Sequence, residues 1–279
     1  MARIWPLVLL LLGCARIPDA GPLAPLPPIR LEAEAPLRIA VAGILSPKRS
    51  YPYRTLAQTL WPQATVVGRR GYGEVLDLLR KGQVDMAFLC TFAAAKAVAE
   101  GYGEVIAKSI PASWTRYRSV VIVPATSDRQ SLEDLAGATM AFVDPLSNTG
   151  YIRPIRELKK RGIFLGKTLF TYAHDRAVEA VIRGLVEAAA VDGMVLDTMI
   201  RKDAGLQEKI RIIWEGPEDP PPPVVVRKGI APEVKEEILK RLEKAGQLLE
   251  PTFRTPFTPA GNIARPPGGA PRSRDGAPG

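Results

Sequence analysis

"YGEVLDLLRKGQVDMAFLC" at residues 72–90 and "HDRAVEAVIRGLVEAAAVD" at residues 174–192 are one pattern written twice. A shift of 102 residues lays Gly82, Val84 and Ala87 on Gly184, Val186 and Ala189, and Asp85 on Glu187. In each copy apolar residues recur at helical spacing, a glycine stands where an αL cap ends a helix, and a short apolar run reads as a buried strand. Helix, cap and strand repeated as a unit predict two similar lobes, each an open α/β sheet.

The flanking sequence extends the alternation. "LRIAVAGIL", "ATVVGR", "VIAKSI", "YRSVVIVPA", "TMAFVD" and "KTLFTY" read as strands. "YRTLAQTLW", "TFAAAKAVAEG", "SLEDLAG" and "YIRPIRELKKRG" read as helices between them. Strands alternating with helices predict an α/β protein with mostly parallel sheets. "SVVIVP" (119–124) and "IRIIWEG" (210–216) flank the middle region and are suited to crossing between lobes. The expected first lobe is therefore 37–118 plus 217–258, and the second 119–216. After the second crossing, the proline run of "PEDPPPPVVVRKG" reads as a stiff extended return, and "APEVKEEILKRLEKAGQLL" as an amphipathic helix on the first lobe.

The ends have a different character. "MARIWPLVLLLLGC" has one basic residue, Arg3, then an apolar run that is too short for a bilayer span of ~20 residues but fits a signal-peptide core. Residues 1–13 are expected to be that signal. Its close, "LLGC", resembles a bacterial lipobox, with Leu12 where a smaller residue is preferred, which makes Cys14 the expected lipidation site; the alternative is an ordinary secretory signal. Residues 14–36 are then a lipidated Cys14 and a Pro/Ala-rich tether, and 259–279 a Gly/Pro/Arg tail expected to be disordered.

Composition excludes several classes. Of 279 residues, 46% are hydrophobic and 24% charged, as in an ordinary soluble globular protein. The net charge of +9 favours an anionic ligand or surface, but no aromatic interleaving or recognisable module supports a nucleic-acid partner. Removing Cys14 to a lipid leaves Cys90 without a disulfide partner, in an apolar stretch where it reads as a small buried hydrophobe. With one histidine, no metal-ligand spacing and no phosphate-gripping GxxxxGK[ST] loop, neither an enzyme nor a cofactor is expected.

A ligand site is expected where strands hand over to helices, at the carboxyl ends of the sheets. "DPLSNTG" (144–150) is such a point. Ser147, Asn148, Thr149 and Gly150 supply hydroxyls, an amide and helix-start N–H groups to an anion, or else simply cap the helix. The repeat pairs His174 with Tyr72 at helix starts and Asp192 with Cys90 at strand ends. His174 is expected at the cleft rim, with a satisfied structural histidine as the alternative. Asp192 is either a free acceptor for an ammonium or hydroxyl, or a turn-forming residue before Gly193. Tyr117 at the lobe boundary and Tyr53 in the first lobe offer hydroxyls on aromatic walls.

The ordered motifs "VDMAFL", "YRSVVIV", "SLEDLAG", "AFVDPLSNTG", "HDRAVEAVIRG", "AAAVDG" and "PPPPVVVRKG" resemble the phosphate/phosphite/phosphonate-binding proteins of ABC transporters, across most of 37–258. The resemblance implies a two-lobed periplasmic-binding-protein type II fold and an extracytoplasmic, lipid-anchored protein. It would capture a phosphonate, phosphite or phosphate and deliver it to an ABC permease and its ATPase; the alternative is a sensor without a transport role. It also implies that Ser147, Asn148, Thr149, Tyr117 and His174 hold the oxyanion, that Asp192 holds a substrate amino group, and that Tyr53, with Tyr51 close by, matches a first-lobe aromatic. The sequence departs from the Ser-Thr-Ser-Gly-like family loop at Asn148.

Overall fold

The computed structural model describes residues 37–42, 52–109, 116–248 and the backbone of 257–259. The expected signal, Cys14, the tether, Tyr51 and nearly all of the tail lie outside them, as does the side chain of Tyr53, whose backbone is in the first helix. Eleven strands form two sheets among the described residues. The first contains β1 (Arg38–Ala42), β2 (Thr65–Arg69), β3 (Met86–Phe88), β4 (Gly103–Ser109), β10 (Pro223–Arg227) and β11 (Phe257–Pro259), in the order β11-β4-β10-β3-β1-β2. The second contains β5 (Arg118–Pro124), β6 (Thr139–Phe142), β7 (Lys167–Phe170), β8 (Ala188–Asp192) and β9 (Ile210–Glu218), in the order β7-β6-β8-β5-β9.

The repeat is realised residue for residue. Helix α2 (Tyr72–Arg80) in the first half and α5 (His174–Ile182) in the second stand at the same offset as β3 and the start of β8. Gly82 and Gly184 end the two helices at φ +65° and +66°, where a side chain would be strained. The matched acids do the same work: the Asp85 carboxylate accepts from the N–H of Arg38 at 3.1 Å, and Glu187 from that of Thr139 at 2.7 Å. Each acid thereby stitches its strand to the neighbouring parallel strand.

Strand alternation sorts side chains to two faces. In the first sheet Ile39, Val41, Met86, Phe88, Val224 and Val226 face a core with α1 (Pro52–Leu60) and α7 (Pro232–Leu248). Ala40, Ala42, Ala87, Leu89 and Val225 face α2 and α3 (Thr91–Ala99). In the second, Val120, Ile122, Ala189 and Val191 pack with α5 and α6 (Gly193–Lys202), while Val121, Met140, Phe142 and Ala190 pack with Leu158 of α4 (Arg153–Lys160). Both faces are covered, so the strands read as continuous apolar runs. Helix α6 was not among the elements expected.

Two expectations are corrected. The sheets are mixed rather than mostly parallel: β1, β2 and β3 run parallel, as do β6, β7 and β8, whereas β5, β9, β10 and β11 pair antiparallel. A chain that leaves one sheet and returns must run back against the strands it joins. Moreover, "SVVIVP" and "IRIIWEG" lie within the second sheet, as β5 and β9, instead of spanning between sheets. β4 of the first sheet ends at Ser109 and β5 of the second begins at Arg118, and the chain returns from β9 to β10 through 219–222, so the prolines form that return themselves. Prolines cannot donate, but the Pro222 carbonyl accepts from the Ser109 N–H at 3.0 Å and steadies that passage.

Candidate functional site

The loop after β6 begins with Asp144 and enters α4 through a single turn of π-helix, Asn148–Ile152. Ser147 is its N-cap, with Oγ accepting from the Gly150 N–H at 3.1 Å. Gly150 is required there: a Cβ would stand 2.7 Å from Val143. Of the three small polar residues, then, one caps the helix and keeps its hydroxyl proton to donate. The other two hold carboxylates. The Thr149 hydroxyl donates to Asp192 Oδ2 at 3.0 Å, and Asn148 Nδ2 donates to Asp219 Oδ2 at 2.9 Å. The Thr149 carbonyl accepts from the Ser119 hydroxyl on β5 at 2.5 Å. All of these residues are buried.

Asp192 both caps α6 and touches the loop. Its Oδ1 accepts from the Met194 and Val195 N–H groups at 2.7 and 3.3 Å. Burial pushes its carboxyl up to about 7, only partly offset by the Thr149 hydroxyl and the two amides. Its own N–H donates to Nδ1 of His174 at 3.0 Å. A ring nitrogen that accepts carries no proton, so His174 holds its proton on Nε2. Burial also pushes this imidazole down to about 4. His174 is thus a neutral donor rather than a cation, and Nε2 has no protein partner among the described residues.

Tyr117 stands at the passage into β5 and is 1% exposed, yet its hydroxyl makes no hydrogen bond of good geometry among the described residues. The Thr91 and Asn148 side chains lie within reach of it without that alignment, with Cys90 and Asp192 close by. Burial first, and then the nearby Cys90 and Asp192, raise this phenol well above its usual range, partly offset by the Thr91 and Asn148 side chains. A buried hydroxyl without a partner costs ~1–3 kcal/mol, and that cost vanishes when a guest accepts from it.

First-lobe elements close against this loop. The Cys90 thiol donates to the Leu146 carbonyl at 3.2 Å, and the N–H groups of Ala93, Phe92 and Asn148 face its sulfur. Burial pushes this thiol up to about 11, as expected of a structural cysteine. The Thr91 hydroxyl donates to the Pro220 carbonyl at 2.7 Å. At the start of α2 the Tyr72 N–H donates to Asp144 Oδ2 at 3.0 Å, and Gly71 leaves the room this needs, since a Cβ there would lie 2.6 Å from that oxygen. Arg70 stacks on Tyr172, 4.1 Å from the ring centre. Tyr172 adopts φ +56°, the one non-glycine residue in the left-handed region among the described residues.

The structure therefore brings Ser147, Asn148, Thr149, Gly150, Tyr117, His174 and Asp192 together. Sequence reasoning missed Asp219, Arg153 and Asp144. Arg153 grips Asp219 through Nε at 2.9 Å and through its second terminal nitrogen. The signal for Asp219 was an acid directly before a proline run at a lobe boundary. Helix α5 has no side-chain cap, so its first N–H groups are left without a side-chain acceptor, whereas at the start of α3 the Cys90 sulfur takes that place. Donors free for a guest are the Ser147 and Tyr117 hydroxyls and His174 Nε2. No cluster of metal-ligating side chains occurs among the described residues.

A family profile described as the periplasmic substrate-binding protein of an ABC phosphonate transporter matches residues 55–260. The chain is 27% identical to the phosphonates-binding periplasmic protein of Escherichia coli K12 over 175 residues, 60% of this chain and 52% of that protein. It is 29% identical to the phosphate-import protein PhnD of Mycolicibacterium smegmatis over 161 residues, 52% of this chain and 50% of that one. It thus spans about half the length of the curated relatives it matches. Among solved structures, a binding-protein component of an ABC phosphonate transporter from Pseudomonas aeruginosa superposes with TM-score 0.68 at 22% identity, covering 80% of this chain and 81% of that one. PhnD1 from Prochlorococcus marinus, in complex with methylphosphonate, superposes with TM-score 0.66 at 17% identity, covering 80% and 92%. These two establish the fold: two sheets of the periplasmic-binding-protein type II arrangement.

Proposed function

The chain belongs to the family of periplasmic substrate-binding proteins of ABC phosphonate transporters, which are binding components rather than enzymes, and we propose that it captures a phosphonate-type oxyanion between its sheets and delivers it to an importer. The observation that carries this reading is the buried, unpartnered Tyr117 hydroxyl, set beside the Ser147–Gly150 loop with the neutral His174 donor one residue contact away. Three donors on rigid elements, supplemented by the uncapped start of α5, are the equipment an anion needs. Micromolar affinity requires about −8 kcal/mol, within reach of a few charge-assisted hydrogen bonds at ~1.5–3 kcal/mol each.

Capture proceeds by closure about the two passages between sheets. The guest contacts both lobes only when they meet, so its binding energy shifts the population toward the closed state. The Tyr72–Asp144 and Cys90–Leu146 hydrogen bonds form in that same state. Relatives named for phosphonate and phosphate support either guest, and phosphite belongs to the same set by shape and charge. Asp192, a buried acceptor beside Thr149, is suited to an amino-bearing guest. The extracytoplasmic location follows from the family, and Cys14 is proposed as the lipid anchor that keeps the protein near its permease and ATPase.

Calorimetry against methylphosphonate, phosphite, phosphate and 2-aminoethylphosphonate tests the reading. One or more should bind at micromolar concentration or better, and Ser147→Ala and His174→Ala should each weaken binding about tenfold or more. Absence of binding to the whole panel, or unchanged affinity in both variants, would reject it.

A further inference from the structure

Asn148 and Asp219 form a pair of fixed polarity. A carboxylate only accepts, so the Asn148 amide must turn Nδ2 toward Asp219, as the 2.9 Å contact shows, and its carbonyl oxygen away. Asp219 itself is 4% exposed and immobilised from two sides. Its N–H donates to the Tyr117 carbonyl at 2.8 Å, and Arg153 takes both of its carboxylate oxygens. The amide so held adjoins the Tyr117 hydroxyl that lacks a partner. A serine or threonine hydroxyl in this position could donate to an anion, whereas an asparagine pinned by Asp219 presents an acceptor.

We infer that Asp219 is a positioning residue for ligand selectivity: by fixing the Asn148 amide with its oxygen toward the guest, it favours an oxyanion that carries a hydrogen on one of its own oxygens. A hydrogen phosphonate supplies that hydrogen; a sulfonate of the same shape does not. The inference rests on the oxyanion reading above and deepens it. An unprotonated oxygen facing the Asn148 carbonyl leaves two acceptors opposed and both unsatisfied, so the cost falls on the wrong guest. Arg153 neutralises Asp219, which allows a carboxylate this close to an anionic guest.

The substitution Asp219→Ala removes the acceptor that fixes the amide. Asn148 Nδ2 and Arg153 Nε share Asp219 Oδ2, so without that oxygen the Asn148 amide is free to turn its NH2 to the guest. The test is calorimetry with methylphosphonate and methanesulfonate on the whole protein and on Asp219→Ala and Asn148→Ser variants. The parent is expected to prefer methylphosphonate at least ten- to hundredfold. Asp219→Ala should shrink that ratio, and Asn148→Ser, whose hydroxyl serves either role, should shrink it. A parent that binds both guests equally, or a ratio unchanged in both variants whether the affinities hold or fall together, overturns the inference while leaving oxyanion capture standing. A parent that binds neither guest, nor any other oxyanion, removes the functional reading and this inference with it.

Discussion

Replacing Asp192 by asparagine separates the charge of this residue from its capping role. Asparagine is as good an N-cap as aspartate, so α6 keeps its start, and the new amide can still meet the Thr149 hydroxyl. What is lost is ionisation. In the parent, burial places the Asp192 carboxyl at about 7. It lies 3.0 Å from the Thr149 hydroxyl, so a guest oxygen bonded to that hydroxyl would stand about 5 Å from the carboxylate. Two like charges at that distance repel by ~3 kcal/mol at an effective dielectric of about 20, equivalent to about two pKa units. Asp192 therefore enters the complex protonated. At pH 8 about nine in ten free molecules carry the carboxylate and about one in ten bound ones, so binding should take up roughly 0.8 more protons in the parent than in Asp192→Asn. Between pH 7 and 9 the parent should lose about twenty-five-fold more affinity than the variant. Titration calorimetry at pH 8 in two buffers of different ionisation heat counts the protons directly. Equal uptake by parent and variant would show that no anionic charge comes to rest beside Asp192.

Three other perturbations follow from the same geometry. In the empty protein Asp192 holds its proton from about pH 4 to 7 where the unfolded chain would not, so stability falls as pH rises through that window. Asp192→Asn should consequently melt higher than the parent at pH 8 and show no such gain near pH 4, by thermal denaturation; His174, pushed down to about 4, contributes the opposite slope between about 4 and 6.5 in both proteins. Gly71→Ala places a methyl 2.6 Å from Asp144 Oδ2, so the lobes should no longer seat; small-angle scattering should show a larger radius with ligand present, and affinity should fall without any change at the loop. Cys90, buried at the seam with its thiol pushed up to about 11, should react slowly with a maleimide and more slowly still when a guest holds the lobes shut; labelling unaffected by a bound guest would contradict closure at this point.

Most of the architecture was legible because it is written twice. A periodic helix, a glycine at its end and an apolar strand are local signals, and repetition removed the ambiguity that each carries alone. The direction of β5, β9 and β10 was not legible. Apolar runs look alike whether their partners run parallel or antiparallel, and pairing direction depends on where the chain returns from. In the site, the handover from strand to helix located Ser147, and position in the repeat located His174 and Asp192. Their commitments were hidden, because they involve contacts of 18 to 71 residues' separation: Asp192 with His174, Thr149 with Asp192, Asn148 with Asp219. The protonation of His174 was likewise invisible, since only the fold shows that a backbone N–H occupies Nδ1. Asp219 escaped notice because prolines around it suggested a spacer.

The ends of the two passages on the side of the second sheet meet where the Asp219 N–H donates to the Tyr117 carbonyl. Two connections on one edge behave like a door hung from a single jamb: the sheets can swing apart about one line but resist sliding past each other. Asp219 is on that line, tied to Asn148 and Arg153 of the same leaf, so those bonds survive the swing. Those that must part are the ones reaching across the gap, Tyr72 to Asp144 and Cys90 to Leu146. On the proposed mode of capture, the protein can gape without dismantling its grip, and each new guest meets side chains already facing the right way.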